Sequence, residues 1–150
     1  MLARLLVAAL LTLALPITGA TAEPRPLSAG GAGYVIIVNS ANPSSNAERR
    51  FLADAFLKKV TRWPNGEVIK PVDLGASSSV RRAFSDEVVG RNVEAVKSYW
   101  QQVIFSGHDV PPPELDSDDD VVRYVLKHPG AVGYVSPNAN LAGAKILSVR

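Results

Sequence analysis

Residues 73–84, DLGASSSVRRAF, set Gly75 and three consecutive serines, Ser77, Ser78 and Ser79, ahead of Arg81, Arg82 and an apolar run. Small residues let a backbone approach a ligand, hydroxyls donate hydrogen bonds, and guanidinium groups pair with anions. No histidine or cysteine stands nearby to activate a nucleophile. The chemistry these residue types suggest is reversible capture of an oxyanion. The structural use of the same residues is simpler: one serine caps a helix and both arginines are solvated.

Other combinations carry less chemistry. GASSS lacks the second glycine of the hydrolase elbow, and only His108 and His128 could serve a serine as base. An acyl-transfer site would need one of them within hydrogen-bond reach of a serine. Asp116, Asp118, Asp119 and Asp120 lack the bend glycine and distal glutamate of a calcium loop, and acidic residues suit the first turn of a helix. Of the two tryptophans, Trp100 falls on an apolar stripe and reads as core, whereas Trp63 beside a turn reads as more open.

The elements that must position these residues can be read from pattern. YVIIVNS, residues 34–40, is a continuous β-branched run suited to a strand covered on both faces. NAERRFLADAFLKKV gives a helix with Phe51, Leu52, Ala55 and Phe56 on one face and Asn46 as its N-cap. Pro64-Asn65-Gly66 is a turn, followed by a strand from about Val68 to Leu74 in which Pro71 argues against a central place. The serine stretch then opens a helix over residues 79–89. Val93, Val96, Trp100 and Val103 mark a second helix. SDDDVVRYVLKHPG marks a third, with Ser117 as N-cap, Asp120 at the capping-box position and Pro129-Gly130 as the stop. AVGYVS and KILSV close the chain as strands. Strands alternating with helices predict a single layered α/β domain with a mainly parallel sheet flanked by helices, covering residues 34–150.

Residues 1–22 combine Arg4, an apolar run from Leu5 to Ile17 and the small-residue site Ala20-Thr21-Ala22, the pattern of a secretory signal peptide. The run is shorter than the roughly 20 residues a spanning helix needs, so no membrane span is expected after cleavage. Residues 23–33 read as a flexible leader. Losing the first segment removes one of 16 basic residues and none of the 14 acidic ones, which leaves a nearly neutral chain and argues against nucleic-acid partners. Cysteine is absent, as suits a bacterial envelope protein held by its core.

FLADAFLKKVTRWPNGEVIKPVDL, VRRAFSDEVVG, YWQQVIFSG and VVRYVLKHPGAVGYVS together resemble the substrate-binding proteins of phosphate ABC transporters, of the type 2 periplasmic binding protein fold. The resemblance spans about residues 34–149 and is most specific in AFLKKVTRWPNG and HPGAVGYVS. Such proteins close two α/β lobes on the ligand, so the chain resembles a half-size member corresponding to one lobe. The resemblance implies a non-enzymatic periplasmic protein binding inorganic phosphate or a similar oxyanion, with an ABC transporter permease, a second lobe or a homodimer partner, and no cofactor or metal.

Against the family's Ser-Gly-Thr helix start, Ser78 matches while Ser79 and Val80 do not, and no arginine stands at the strand end near Asp73-Leu74. The expected ligand set is Ser77, Ser78 and Ser79 as donors, Arg81 or Arg82 for charge, and Asn39 and Ser40 approaching from the end of the first strand. The competing expectation is an envelope docking module that kept the lobe and lost the ligand.

Overall fold

The computed structural model describes residues 33–150. The expected signal peptide at 1–22 and the leader, apart from its last residue, lie outside the described residues. In chain order the elements are β1 (Val35–Val38), β2 (Asn46–Ala47), α1 (Arg49–Phe56), β3 (Lys70–Pro71), β4 (Asp73–Leu74) and α2 (Ser79–Phe84). A π-helical turn (Ser85–Val89) continues α2, and α3 (Val93–Phe105), β5 (Glu114–Leu115), α4 (Asp118–Lys127), β6 (Ala131–Val135), β7 (Lys145–Ile146) and β8 (Ser148–Val149) follow.

β3 and β4 are two halves of one extended stretch. Lys70 and Val72 donate backbone N–H groups to Gly130 and Val132 on one side, whereas Asp73 and Gly75 donate to Pro113 and Leu115 on the other. Pro71, which has no N–H, sits in β3 at the edge of the four-stranded sheet, paired on one side only, in agreement with the expectation that proline argues against a central place. The main sheet runs β3-β6-β1-β7, while β4 pairs with β5 and β2 with β8 in two separate two-stranded sheets.

The α/β class holds, and the strand directions are mixed. β3 is parallel to β6, β4 to β5, and β2 to β8, but β1 is antiparallel to both β6 and β7. The expectation of a mainly parallel sheet fails at its centre for a physical reason. A continuous apolar run reports burial on both faces, and a strand so covered reads the same in either direction.

Helices cover both faces. α4 lies so close to β6 that a Cβ on Gly133 would stand 2.7 Å from Val121 Cγ1. On the other face Tyr134 stacks on Phe84 of α2 with ring centroids 3.9 Å apart, and Phe56 of α1 packs against both. Ile36, Ile37 and Val38 between these layers are fully buried. α1 begins two residues later than expected: Asn46 is paired with Ser148 in the β2–β8 ladder, and Glu48 takes the N-cap position without a side-chain bond. α4 keeps its expected cap, Ser117 Oγ accepting the Asp120 N–H, and Asp120 Oδ2 accepts the Ser117 hydroxyl proton at 2.7 Å.

Candidate functional site

The strand β3–β4 ends at Leu74, and Gly75 leads into a tight turn in which the Ser78 N–H donates to the Gly75 carbonyl. Ser78 then caps α2, its hydroxyl oxygen accepting the Arg81 N–H at 3.3 Å. That is the structural role foreseen for one serine. Ser77 and Ser79 are exposed on either side of it. Among the described residues no hydrogen bond engages their hydroxyls or the N–H groups of Ser79 and Val80, which lie in the first turn of the helix. Arg82 is exposed and folds back over the turn, Nη1 donating to the Ser77 carbonyl at 3.0 Å.

Arg81 does something different. It is 3 % exposed, with Nη1 donating to the Leu74 carbonyl at 2.6 Å and lying 3.4 Å from both Asp73 Oδ2 and Glu114 Oε1. Asp73 Oδ1 in turn accepts the Tyr134 hydroxyl proton at 2.7 Å, and the Tyr134 oxygen accepts the Leu74 N–H. Burial raises the Asp73 carboxyl from its ordinary value to about 6, against the pull of Arg81 and the Tyr134 hydrogen bond. Burial and the neighbouring carboxylate push the Tyr134 phenol up as well. The expectation that Arg81 meets a ligand is corrected: its charge is used inside the protein. The signal was present in the helix phase, because Arg81, Phe84, Ser85 and Val88 follow i, i+3, i+4, i+7 spacing and all four are buried.

Asn39 and Ser40 are not part of this site. β1 is antiparallel to β6, and β3–β4 is parallel to it, so the end of β1 lies at the opposite end of the sheet from Gly75. Asn39 is buried there and engaged: Nδ2 donates to the carbonyls of Val125 and Leu126, and Oδ1 accepts the Ala41 N–H. Ser40 beside it is exposed. The placement of this pair failed with the parallel assumption on which it stood.

The remaining candidates resolve into structural roles. Trp63 is buried, not open, and donates its indole N–H to Gly130. His108 Nδ1 lies 2.8 Å from Ser106 Oγ, but the Ser106 hydroxyl donates to the Val103 carbonyl in the last turn of α3. The contact joins two exposed residues at the end of α3, and none of the serines of the candidate site takes part in it. His128 Nδ1 is held by the Tyr124 carbonyl. In the acidic cluster, Asp118 accepts the Ser136 N–H and Asp120 pairs with Arg123. Among the described residues no three acidic or histidine side chains are grouped to hold a metal ion, and no helix is long and apolar enough to cross a membrane.

These features define a layered α/β lobe with exposed hydrogen-bond donors at a helix start, beyond the carboxyl end of a strand. No protein-family model matches the chain, and no curated protein matches it by sequence. Solved structures are similar to it. An ABC-type phosphate transport receptor from Vibrio cholerae superposes with a TM-score of 0.60 at 22% identity, covering 78% of this chain and 46% of the receptor. A phosphate ABC transporter substrate-binding protein from Clostridium perfringens, solved with bound phosphate, gives 0.62 at 21% identity, covering 78% and 44%. PstS from Borrelia burgdorferi gives 0.59 at 15% identity, covering 79% and 47%. The chain has the binding-protein fold of these transport receptors and spans under half of their length.

Proposed function

We propose that the chain is a periplasmic solute-binding-type protein that reversibly captures a small oxyanion, phosphate first among the candidates, for ABC-type uptake. The observation that carries this reading is the open donor set at the start of α2: the Ser77 and Ser79 hydroxyls and the Ser79 and Val80 N–H groups, with the Arg82 guanidinium folded over the same turn. A helix start favours anions through its free N–H groups and its dipole. The binding-protein fold shared with a receptor solved with phosphate supports it further. The turn is open to water, so binding by this lobe alone is weak. A second lobe or a partner subunit that dries the site would strengthen it.

Isothermal titration with phosphate and with sulfate tests the reading, using the wild-type protein and a Ser77→Ala, Ser79→Ala, Arg82→Ala variant. Saturable binding that prefers phosphate and disappears in the variant is the expected result. Absence of saturation in folded wild-type protein sinks it.

A second reading, an envelope docking module that has lost the ligand, is favoured by one observation. The better-held arginine of the segment, Arg81, is neutralised internally by Asp73 and Glu114. Under that reading the serine turn is only a cap and the titration is silent.

A further inference from the structure

A cavity of about 300 Å³ is lined by Asn46, Glu48, Phe51, Trp63, Pro64 and Arg150. Trp63 donates its N–H to Gly130, just before β6, so the cavity lies at the end of the sheet opposite the serine turn. Its volume is at the lower end of the roughly 300–1,000 Å³ of small-molecule sites, which combine apolar walls with a few placed polar groups. Here the apolar wall is half-buried Phe51, in tilted contact with Trp63 at 5.6 Å between ring centroids, together with Pro64.

The charged groups on it are Glu48 and Arg150. β2 pairs with β8 in parallel, Asn46 with Ser148 and Ala47 with Val149, and the register carried one step further sets Glu48 opposite Arg150. Backbone bonds hold that step: the Arg150 N–H donates to the Ala47 carbonyl and the Arg49 N–H donates to the Arg150 carbonyl, each at 3.0 Å. The neighbouring arginines are engaged elsewhere, Arg49 on the Glu87 carbonyl and Arg50 with Asp54. Glu48 and Arg150 are not. Among the described residues neither side chain has an ion pair or a hydrogen bond, to the other or to anything else, and Glu48 leaves α1 without a side-chain cap.

We propose that the cavity binds a free α-amino acid with an aromatic side chain, its carboxylate on the Arg150 guanidinium, its ammonium on the Glu48 carboxylate and its ring on Phe51 and Pro64. Two opposite charges held side by side and left unpaired suit a ligand that carries both. The guanidinium fork matches a carboxylate, whereas a ligand with a single charge satisfies one group and meets a like charge at the other. An exposed ion pair between Glu48 and Arg150 is worth little, so a ligand gives up little in taking its place. The aromatic wall selects the ring, because offset or edge-on contacts between rings add to the burial of area. None of this rests on the oxyanion reading, whose serine turn lies at the other end of the sheet.

Isothermal titration of the purified protein with L-phenylalanine tests the site, alongside three analogues that each lack one feature: phenethylamine the carboxylate, phenylpropionate the ammonium and glycine the ring. Saturable binding of L-phenylalanine is expected, with every analogue at least tenfold weaker. Glu48→Gln should remove the advantage of L-phenylalanine over phenylpropionate, and Arg150→Gln its advantage over phenethylamine. Both side chains are exposed, so both variants should keep the wild-type far-ultraviolet circular dichroism. The crossed pattern separates recognition of two charges from a ring resting on an apolar wall. No saturation by L-phenylalanine in folded wild-type protein overturns the proposal. So do analogues that bind as well as L-phenylalanine, or a preference that either substitution leaves unchanged.

Discussion

The indole N–H of Trp63 donates to the backbone carbonyl of Gly130 at 3.0 Å, in the interior of the protein. This bond joins the two segments that most resemble the phosphate-binding proteins, the RWPNG turn and the HPGAVGYVS strand. The same carbonyl accepts the Lys70 N–H at 2.9 Å, so it fixes the start of β3 on β6 as well.

Gly130 permits this arrangement because a Cβ there would lie 1.9 Å from the Val68 carbonyl oxygen, a backbone atom that cannot step aside alone. Gly130→Ala is expected to cost about 3 kcal/mol or more. Trp63→Phe, which leaves the carbonyl its second donor, should cost only about 1–2 kcal/mol. Urea denaturation measures both, with Gly75→Ala as the reference because nothing lies within 4 Å of its added Cβ. Equal stability of the two alanine variants would mean that the Gly130 backbone does not approach Val68 as described.

The two neighbouring arginines should separate cleanly. Arg81→Met removes the partner of a buried carboxylate and a donor to the Leu74 carbonyl, a loss of about 3–5 kcal/mol. Arg82→Ala touches an exposed side chain and should change stability by no more than about 0.5 kcal/mol. Thermal melts of both, compared with their anion titrations, distinguish an architectural arginine from a ligand-facing one. An Arg81 variant as stable as wild type contradicts the buried pairing.

Much of this could be read before the fold was known, and the failures share a cause. The cap at Ser117, a cap by one serine of the Ser77–Ser79 run and the stripe through Val93, Val96 and Trp100 are local, so spacing sufficed, although only the structure singles out Ser78. Asn46 was misread because it pairs with Ser148, a hundred residues away, and Trp63 because its acceptor is Gly130. The direction of β1 is a property of the whole sheet, and the pattern of YVIIVNS records only that both faces are covered. Of the candidate site, the serine turn was legible from residue types and from its place between strand and helix. The Asp73–Arg81–Tyr134 cluster was not, because it assembles from β4, α2 and β6.

Asn39, expected at a ligand, instead finishes α4. Its Nδ2 donates to two carbonyls at the helix end, and its Oδ1 holds the following turn. Asn39→Ala should cost about 2–3 kcal/mol for buried groups left without partners. Asn39→Asp should be worse at neutral pH, because a carboxylate faces carbonyl oxygens at the negative end of the helix dipole. It should recover toward the alanine variant as acid neutralises it. Denaturation midpoints of the two variants at pH 4 and pH 7 check this ordering, and an aspartate variant as stable as wild type at pH 7 would refute it.

Asp73 should make stability fall as pH rises through the acid range, the reverse of an ordinary ion-paired aspartate. Its carboxyl lies under Tyr134 and beside Arg81, yet burial outweighs both and lifts it from 3.8 to about 6. Between those values the folded protein holds a proton that the unfolded chain has released. The unfolded state then binds fewer protons, and the slope of unfolding free energy with pH is negative. The contribution is complete below about pH 4 and lost above about pH 6. At roughly 1.4 kcal/mol per pH unit it amounts to about 3 kcal/mol. Asp73→Asn keeps the shape and cannot titrate, so subtracting its urea profile from the wild-type profile at pH 4, 5, 6 and 7 isolates the group. A difference that shrinks or reverses by about that amount over this range is the expected result. A difference constant with pH removes the raised carboxyl. A wild type that gains on the variant as pH rises would mean that Arg81, and not burial, sets the charge on Asp73.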